Sequence, residues 1–216
     1  MKKQPSAFTL IELLVVIAII AILAGLAVPV VGGVMKSSQK ASTLNQIKQI
    51  STLAVTYAAD NNGLLPEEGG EGVQAFSRLR LMTNAWYNVL PELAGLPPAR
   101  DYRGNPPDFY SAQSLFFVKA ANYPERKTSR AYFAFGINSQ LMDEEDGRAR
   151  IRLHQITKPS RTALFAEAGL PDEKDLLPAG GATDDLGQPK VRDKRFVGRY
   201  SGSGIVGFAD GHAEVV

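Results

Sequence analysis

Glu12 is the only ionisable side chain in residues 8–31, a run of 24 in which 20 are Ala, Val, Ile, Leu or Phe. Thr9, Gly25 and Pro29 are the other interruptions. A carboxylate is costly at the centre of an apolar membrane segment and less so toward its end, so it normally has a partner and a function. Cutting the chain between Ala7 and Phe8 would create that partner. The new amine of Phe8 would carry a positive charge four residues from Glu12, about one helical turn away. It could pair with Glu12 of its own chain or of a neighbouring one. An ion pair between that amine and the carboxylate is the chemistry these residues suggest.

Other constellations offer less. Residues 202–207, Gly-Ser-Gly-Ile-Val-Gly, satisfy G-x-G-x-x-G, but only nine residues follow and they read as a hairpin. A dinucleotide site needs a helix after the glycines and an acidic residue about 20 positions on. The acidic residues Asp143, Glu144, Glu145 and Asp146 lack the alternating spacing of a calcium loop and read as a solvated turn. Asp184 and Asp185, in a glycine-rich loop, are similar, and at most a weak calcium site is expected there. The two histidines, His154 and His212, have no nucleophile motif beside them. With no cysteine there is no disulfide, thiol nucleophile or thiolate metal site. No enzyme activity, cofactor or metal is expected.

The 24-residue run must be placed somewhere. As a helix it would be roughly 36 Å long, enough to cross a hydrocarbon core of about 30 Å. An alternative is a secretory signal peptide with Lys2 and Lys3 as its basic region, residues 13–23 as its core and Ala24-Gly25-Leu26-Ala27 as the cleavage site. Such a peptide has no use for Glu12. A buried core helix is a third option, disfavoured by the run's length and purity. Net charge is +2 from 24 basic and 22 acidic residues, with no basic stripe, so nucleic acid is not an expected partner.

The stretch Ala7-Phe8-Thr9-Leu10-Ile11-Glu12-Leu13-Leu14-Val15-Val16 resembles the processing site of type IV prepilins and type II secretion pseudopilins. The resemblance implies a leader of residues 1–7, cleavage after Ala7 by a prepilin peptidase and N-methylation of Phe8. It also implies that Glu12 is the family's carboxylate and that Pro29 sits where members often kink. Ala7 departs from the commoner Gly. Removal of the leader takes Lys2 and Lys3 with it, and the side-chain charge falls from +2 to zero. The tail carries a second resemblance. Many large pseudopilin-like proteins end with a histidine, nine residues and then Asp-Gly in an apolar strand. Here Phe208-Ala209-Asp210-Gly211-His212 fits the end of that pattern, and Tyr200 stands in the place of the histidine.

Several elements must position these residues. Residues 36–61 contain no Pro or Gly, and Leu44, Ile47, Ile50, Ala54, Tyr57 and Ala58 recur at helical steps. Lys36, Gln39, Asn45, Gln46, Lys48 and Gln49 form the opposite, polar face. A helix running from Phe8 to about Asn61 would be roughly 80 Å long, with a stop at Asp60-Asn61-Asn62-Gly63. Pro29 removes one backbone donor. With Gly25, Gly32 and Gly33 it marks either a segment that extends on assembly or an ordinary membrane-helix proline satisfied by its neighbours.

Residues 76–84 suggest a short helix, and residues 86–90 another that Pro91 ends. Trp86 reads as a core anchor. Strands are expected over 131–136, 162–167, 204–209 and 212–216, with Asp210-Gly211 as a hairpin turn. Residues 150–154 suggest a strand or strand edge, and 171–195 a loop.

These elements make an α+β fold: a long N-terminal helix, membrane-spanning in its first half and amphipathic in its second, packed on an antiparallel sheet of about four strands. The division is leader 1–7, transmembrane and assembly helix 8–31, amphipathic continuation 32–62 and pilin-like head 63–216. The resemblance implies a structural subunit of a type II secretion pseudopilus or type IV pilus-related filament. It would be made in the bacterial cytoplasmic membrane with its head outside, and its partners would be prepilin peptidase and like subunits. The competing expectation is an extracytoplasmic binding domain tethered by an uncleaved helix.

Overall fold

The computed structural model describes residues 9–70, 72, 74–125, 128–142 and 151–216, without the side chains of residues 26–32 and 193. Two compact units divide the chain, Met1–Gln39 and Lys40–Val216. In the first unit the described residues form the beginning of helix α1 (Leu10–Asp60). Its apolar side chains are uncovered, from Leu10 at 80 % exposed to Val16 at 45 %. Among the described residues no helix is long and apolar enough to cross a membrane. The described side chains of the apolar run end at Gly25.

In the second unit α1 buries one stripe. Ile47, Ile50, Ala54 and Ala58 are fully buried, while Leu44 and Tyr57 pack partly buried against the same core. The spacing of three and four residues puts them on one face. The helix stops where glycine makes a left-handed turn possible. Asn62 has φ 55° and Gly63 φ 82°, and the Gly63 N–H donates to the Ala58 carbonyl at 2.8 Å.

Five strands form the sheet: β1 (Phe135–Asn138), β2 (Ala163–Glu167), β3 (Lys190–Val191), β4 (Ile205–Phe208) and β5 (Ala213–Val215), in the order β3-β1-β2-β4-β5. The β1–β2, β2–β4 and β4–β5 pairs are antiparallel. The β1–β3 pair is parallel, so the sheet is mixed and has one strand more than expected. The extra strand is two residues long and lies inside the stretch read as loop. Gly136 admits it: a Cβ there would lie 2.7 Å from the Pro189 carbonyl group. That carbonyl accepts from the Ile137 N–H at 3.1 Å and from Trp86 Nε1 at 2.8 Å. The terminal hairpin forms about Asp210 and Gly211 as its turn signal indicates, with Gly211 at φ 90°.

Other expectations shift. The first strand runs over 135–138 rather than 131–136, because residues 131–134 spend their backbone groups on loops, for example Phe133 N–H on the Gly187 carbonyl. Helix α2 (Phe76–Leu79) is shorter than expected. Helix α3 (Trp86–Leu93) runs through Pro91, which is buried inside it. In an eight-residue helix the lost donor removes one bond without a long helix to break. Residues 150–154 do not form a strand in their described part. Arg152 makes one bridge with Leu64, and Leu153–Gln155 is a 3-10 turn.

Helix and sheet meet closely at Ser51 and Gly207. A Cβ on Gly207 would overlap Ser51 Oγ and lie 2.9 Å from Ile47 Cγ2. Ser51 Oγ is buried and makes no hydrogen bond. Gly207→Ala should therefore destabilise the head by about 1–3 kcal/mol, the usual cost of overpacking. Adding Ser51→Ala should recover part of that loss. Urea unfolding of the three variants checks both statements.

Candidate functional site: the amino-terminal segment and the tail that braces the head

Helix α1 begins with a reciprocal cap. The Thr9 N–H and Oγ1 both donate to Glu12 Oε2 at 2.8 Å, and the Glu12 N–H donates back to Thr9 Oγ1 at 3.3 Å. This is a capping box, in which a threonine and an acidic residue three positions later satisfy the helix's free donors. The Leu13 N–H closes the first turn on the Thr9 carbonyl at 3.2 Å. Glu12 is thus already bonded within its own helix, although Oε1 is used in neither Thr9 bond. Sequence reasoning passed over Thr9, although a T-x-x-E step ahead of an apolar run signals such a cap. Replacing Thr9 with Val should loosen the first turn and release Glu12. Faster amide exchange at residues 11–13 would record this.

Ala7 and Phe8, the expected processing residues, lie outside the described residues, as do Asp143, Glu144, Glu145 and Asp146. Pro29 falls within α1, and its side chain lies outside the described set. Asp185 adopts φ 53° and approaches Arg195 at 4.0 Å, so its charge faces a guanidinium. Among the described residues no group of three or more His, Asp or Glu is placed to hold a metal ion. The glycines of 202–207 lead into strand β4, not into a helix.

The tail ties the head together. Tyr200, which replaces the expected histidine, donates its hydroxyl to Thr43 Oγ1 of α1 at 2.8 Å. Burial pushes this hydroxyl's pKa up to about 12, so it remains a donor at neutral pH. Beside it, Arg199 is sealed in with two carboxylates. Its side chain is 1 % exposed, against 0 % for Glu167 and 2 % for Glu173. Nε donates to Glu173 Oε1 at 2.9 Å. Nη1 donates to Glu167 Oε1 and the Ala134 carbonyl, both at 2.9 Å. Nη2 donates to Glu173 Oε2 and to the Ala168 carbonyl at 2.7 Å. All five guanidinium donors are used.

The carboxylates are equally engaged. Glu167 Oε2 accepts from the Ile205 N–H at 3.0 Å, and Glu173 accepts from the Asn122 and Leu170 N–H groups. Burial pushes the Glu167 carboxyl above its ordinary value, and Arg199 offsets only part of that. For Arg199 burial acts against the charge, but the two carboxylates outweigh it and hold the guanidinium above its ordinary value. The cluster joins segments far apart in the chain, and no local pattern in the sequence announces it. At the turn, His212 Nδ1 meets Asp210 Oδ1 at 2.5 Å, and its ring stacks on Phe208 with centroids 4.4 Å apart.

Comparison with curated proteins and with solved structures gives no match. Residues 2–28 match a family model, the prokaryotic N-terminal methylation motif, in agreement with the resemblance drawn from residues 7–16. The matched segment is consistent with the amino terminus of a type IV prepilin- or pseudopilin-like protein.

Proposed function

We propose that the chain is a structural, non-catalytic subunit of a type II secretion pseudopilus or type IV pilus-related filament. It is anchored by residues 8–31 in the cytoplasmic membrane with its head outside, cut between Ala7 and Phe8, and N-methylated at Phe8. It then passes into a helical assembly. The match over residues 2–28 carries this reading. The uncovered apolar side chains from Leu10 to Leu23 support it, because a helix apolar all round has to be covered by lipid or by other helices.

Glu12 has a defined part in assembly. With Oε2 engaged by Thr9, Oε1 is the oxygen that takes the Phe8 amine of an adjacent subunit. The wrong register would leave a charge unpaired among apolar side chains, which penalises it. We expect Glu12→Val and Glu12→Ala to enter the membrane normally and to assemble poorly. Membrane fractionation beside electron microscopy of sheared filaments measures the two separately. Normal filaments from either variant would refute the register role.

A further inference from the structure

We propose that the groove between α1 and residues 111–117 is a binding site for a neutral oligosaccharide. The groove has a volume of about 290 Å³, close to the lower bound of roughly 300 Å³ for ligand pockets. None of its lining residues is ionisable. Asn45, Gln46 and Gln49 form the helix wall, and Gln113, Ser114 and Phe117 stand on the loop.

The groove is preformed. Gln46 Nε2 donates to the carbonyls of Leu115 and Phe117 and so fixes the loop against the helix. Its amide oxygen is what remains to offer a ligand. Ser114 Oγ is aimed by the Phe116 N–H at 3.2 Å. Phe117 is half-buried and stacks on Tyr123 with centroids 5.6 Å apart, which sets an aromatic wall beside the polar one.

The side chains of Asn45, Gln49 and Gln113 are exposed and have no hydrogen-bond partner among the described residues. Each amide offers two donors and an acceptor with two lone pairs. A sugar hydroxyl is likewise both donor and acceptor, so an array of amides on facing walls matches a polyol without requiring charge. A charged ligand would find no counter-charge here. An extended peptide would gain no ladder of backbone bonds, since helix and loop line the groove and no strand edge borders it. The apolar face of a pyranose ring fits against Phe117. The inference involves residues of the second unit alone, Lys40–Val216, and does not depend on the filament reading.

The test uses the full chain in micelles of a detergent without a sugar headgroup. Saturation-transfer NMR titrations would be run with cellotetraose, chitotetraose and the neutral peptide Gly-Ser-Gly-Ser. The variant Gln49→Ala/Gln113→Ala changes two exposed, unpartnered side chains, so its fold should be unaffected. We expect at least one oligosaccharide to bind the natural chain and to bind the variant at least tenfold more weakly. Absence of binding by both oligosaccharides, equal binding to the variant, or tighter binding of the peptide would each overturn the proposal. None of these outcomes bears on processing at Ala7 and Phe8.

Discussion

Arg199→Met should destabilise the head by about 3–5 kcal/mol, the range found when one partner of a buried ion pair is removed. The loss comes from what stays behind. Glu167 and Glu173 are sealed from water and would face each other without a cation. The Ala168 carbonyl would lose the Arg199 donor as well, and the Ala134 carbonyl would keep only the Ala168 N–H. Glu167→Gln should cost less, because it keeps an acceptor for the Ile205 N–H and leaves Arg199 paired with Glu173.

The two variants also separate by pH. Without the guanidinium, the folded-state Glu167 carboxyl rises further above its ordinary value, while its unfolded value does not move. Stability that depends on the protonated form is present below the ordinary carboxylate range and is lost as pH rises through the raised folded value. The Arg199→Met defect should therefore be largest at neutral pH and shrink on acidification toward pH ~4. Urea unfolding of the full chain in micelles at the two pH values measures it. A defect that does not change with pH would show that lost packing, not stranded charge, is the cause.

Trp86→Ala should be about as severe, at roughly 3–5 kcal/mol. Trp86 is fully buried, with ring centroids 5.2–6.0 Å from Tyr87, Phe116, Phe133, Phe135 and Phe165. Its removal would leave a cavity among rings that hold one another in place, and a close-packed core relaxes only partly. It would also remove one of the two donors to the Pro189 carbonyl, leaving only the Ile137 N–H, where β3 joins the sheet. We expect Trp86→Phe to recover much of the packing but not this bond, and so to fall between Ala and the natural residue. Far-UV circular dichroism during urea unfolding follows all three. If Trp86→Phe matched the natural chain, the Nε1 bond would have no measurable part in docking β3.

Both effects arise where the sequence was hardest to read. Residues 64–130 show no sustained period, because α2, α3 and α4 (Pro106–Phe109) are each eight residues or fewer. Their aromatic residues meet in space, not along the chain. The Arg199 cluster spans separations of 26 and 32 residues from Arg199 to its carboxylates, which no local pattern reports. β3 escaped notice because two residues are too few to alternate and its neighbourhood is rich in Gly, Pro and Asp. Pro91 misled because its rule applies to helix interiors with bonds to lose, and α3 has few.

What was legible had a period, a turn or a motif. The stripe Ile47, Ile50, Ala54 and Ala58 follows from helical spacing. The terminal hairpin follows from Asp210-Gly211. The amino-terminal motif, which the family model matches over residues 2–28, was legible from residue order. The cap between Thr9 and Glu12 was equally readable, but attention to the charge of Glu12 hid its hydrogen bonds.

The most direct test of the central claim is the intact mass, with the amino-terminal residue, of the protein purified from its own membranes. We expect a chain that begins at Phe8, lacks residues 1–7 and carries one added methyl group on its terminal amine. A chain that retains Met1, or one that begins near Val28 after ordinary signal-peptide cleavage, would contradict processing at Ala7 and Phe8. The filament assembly built on it would fall as well.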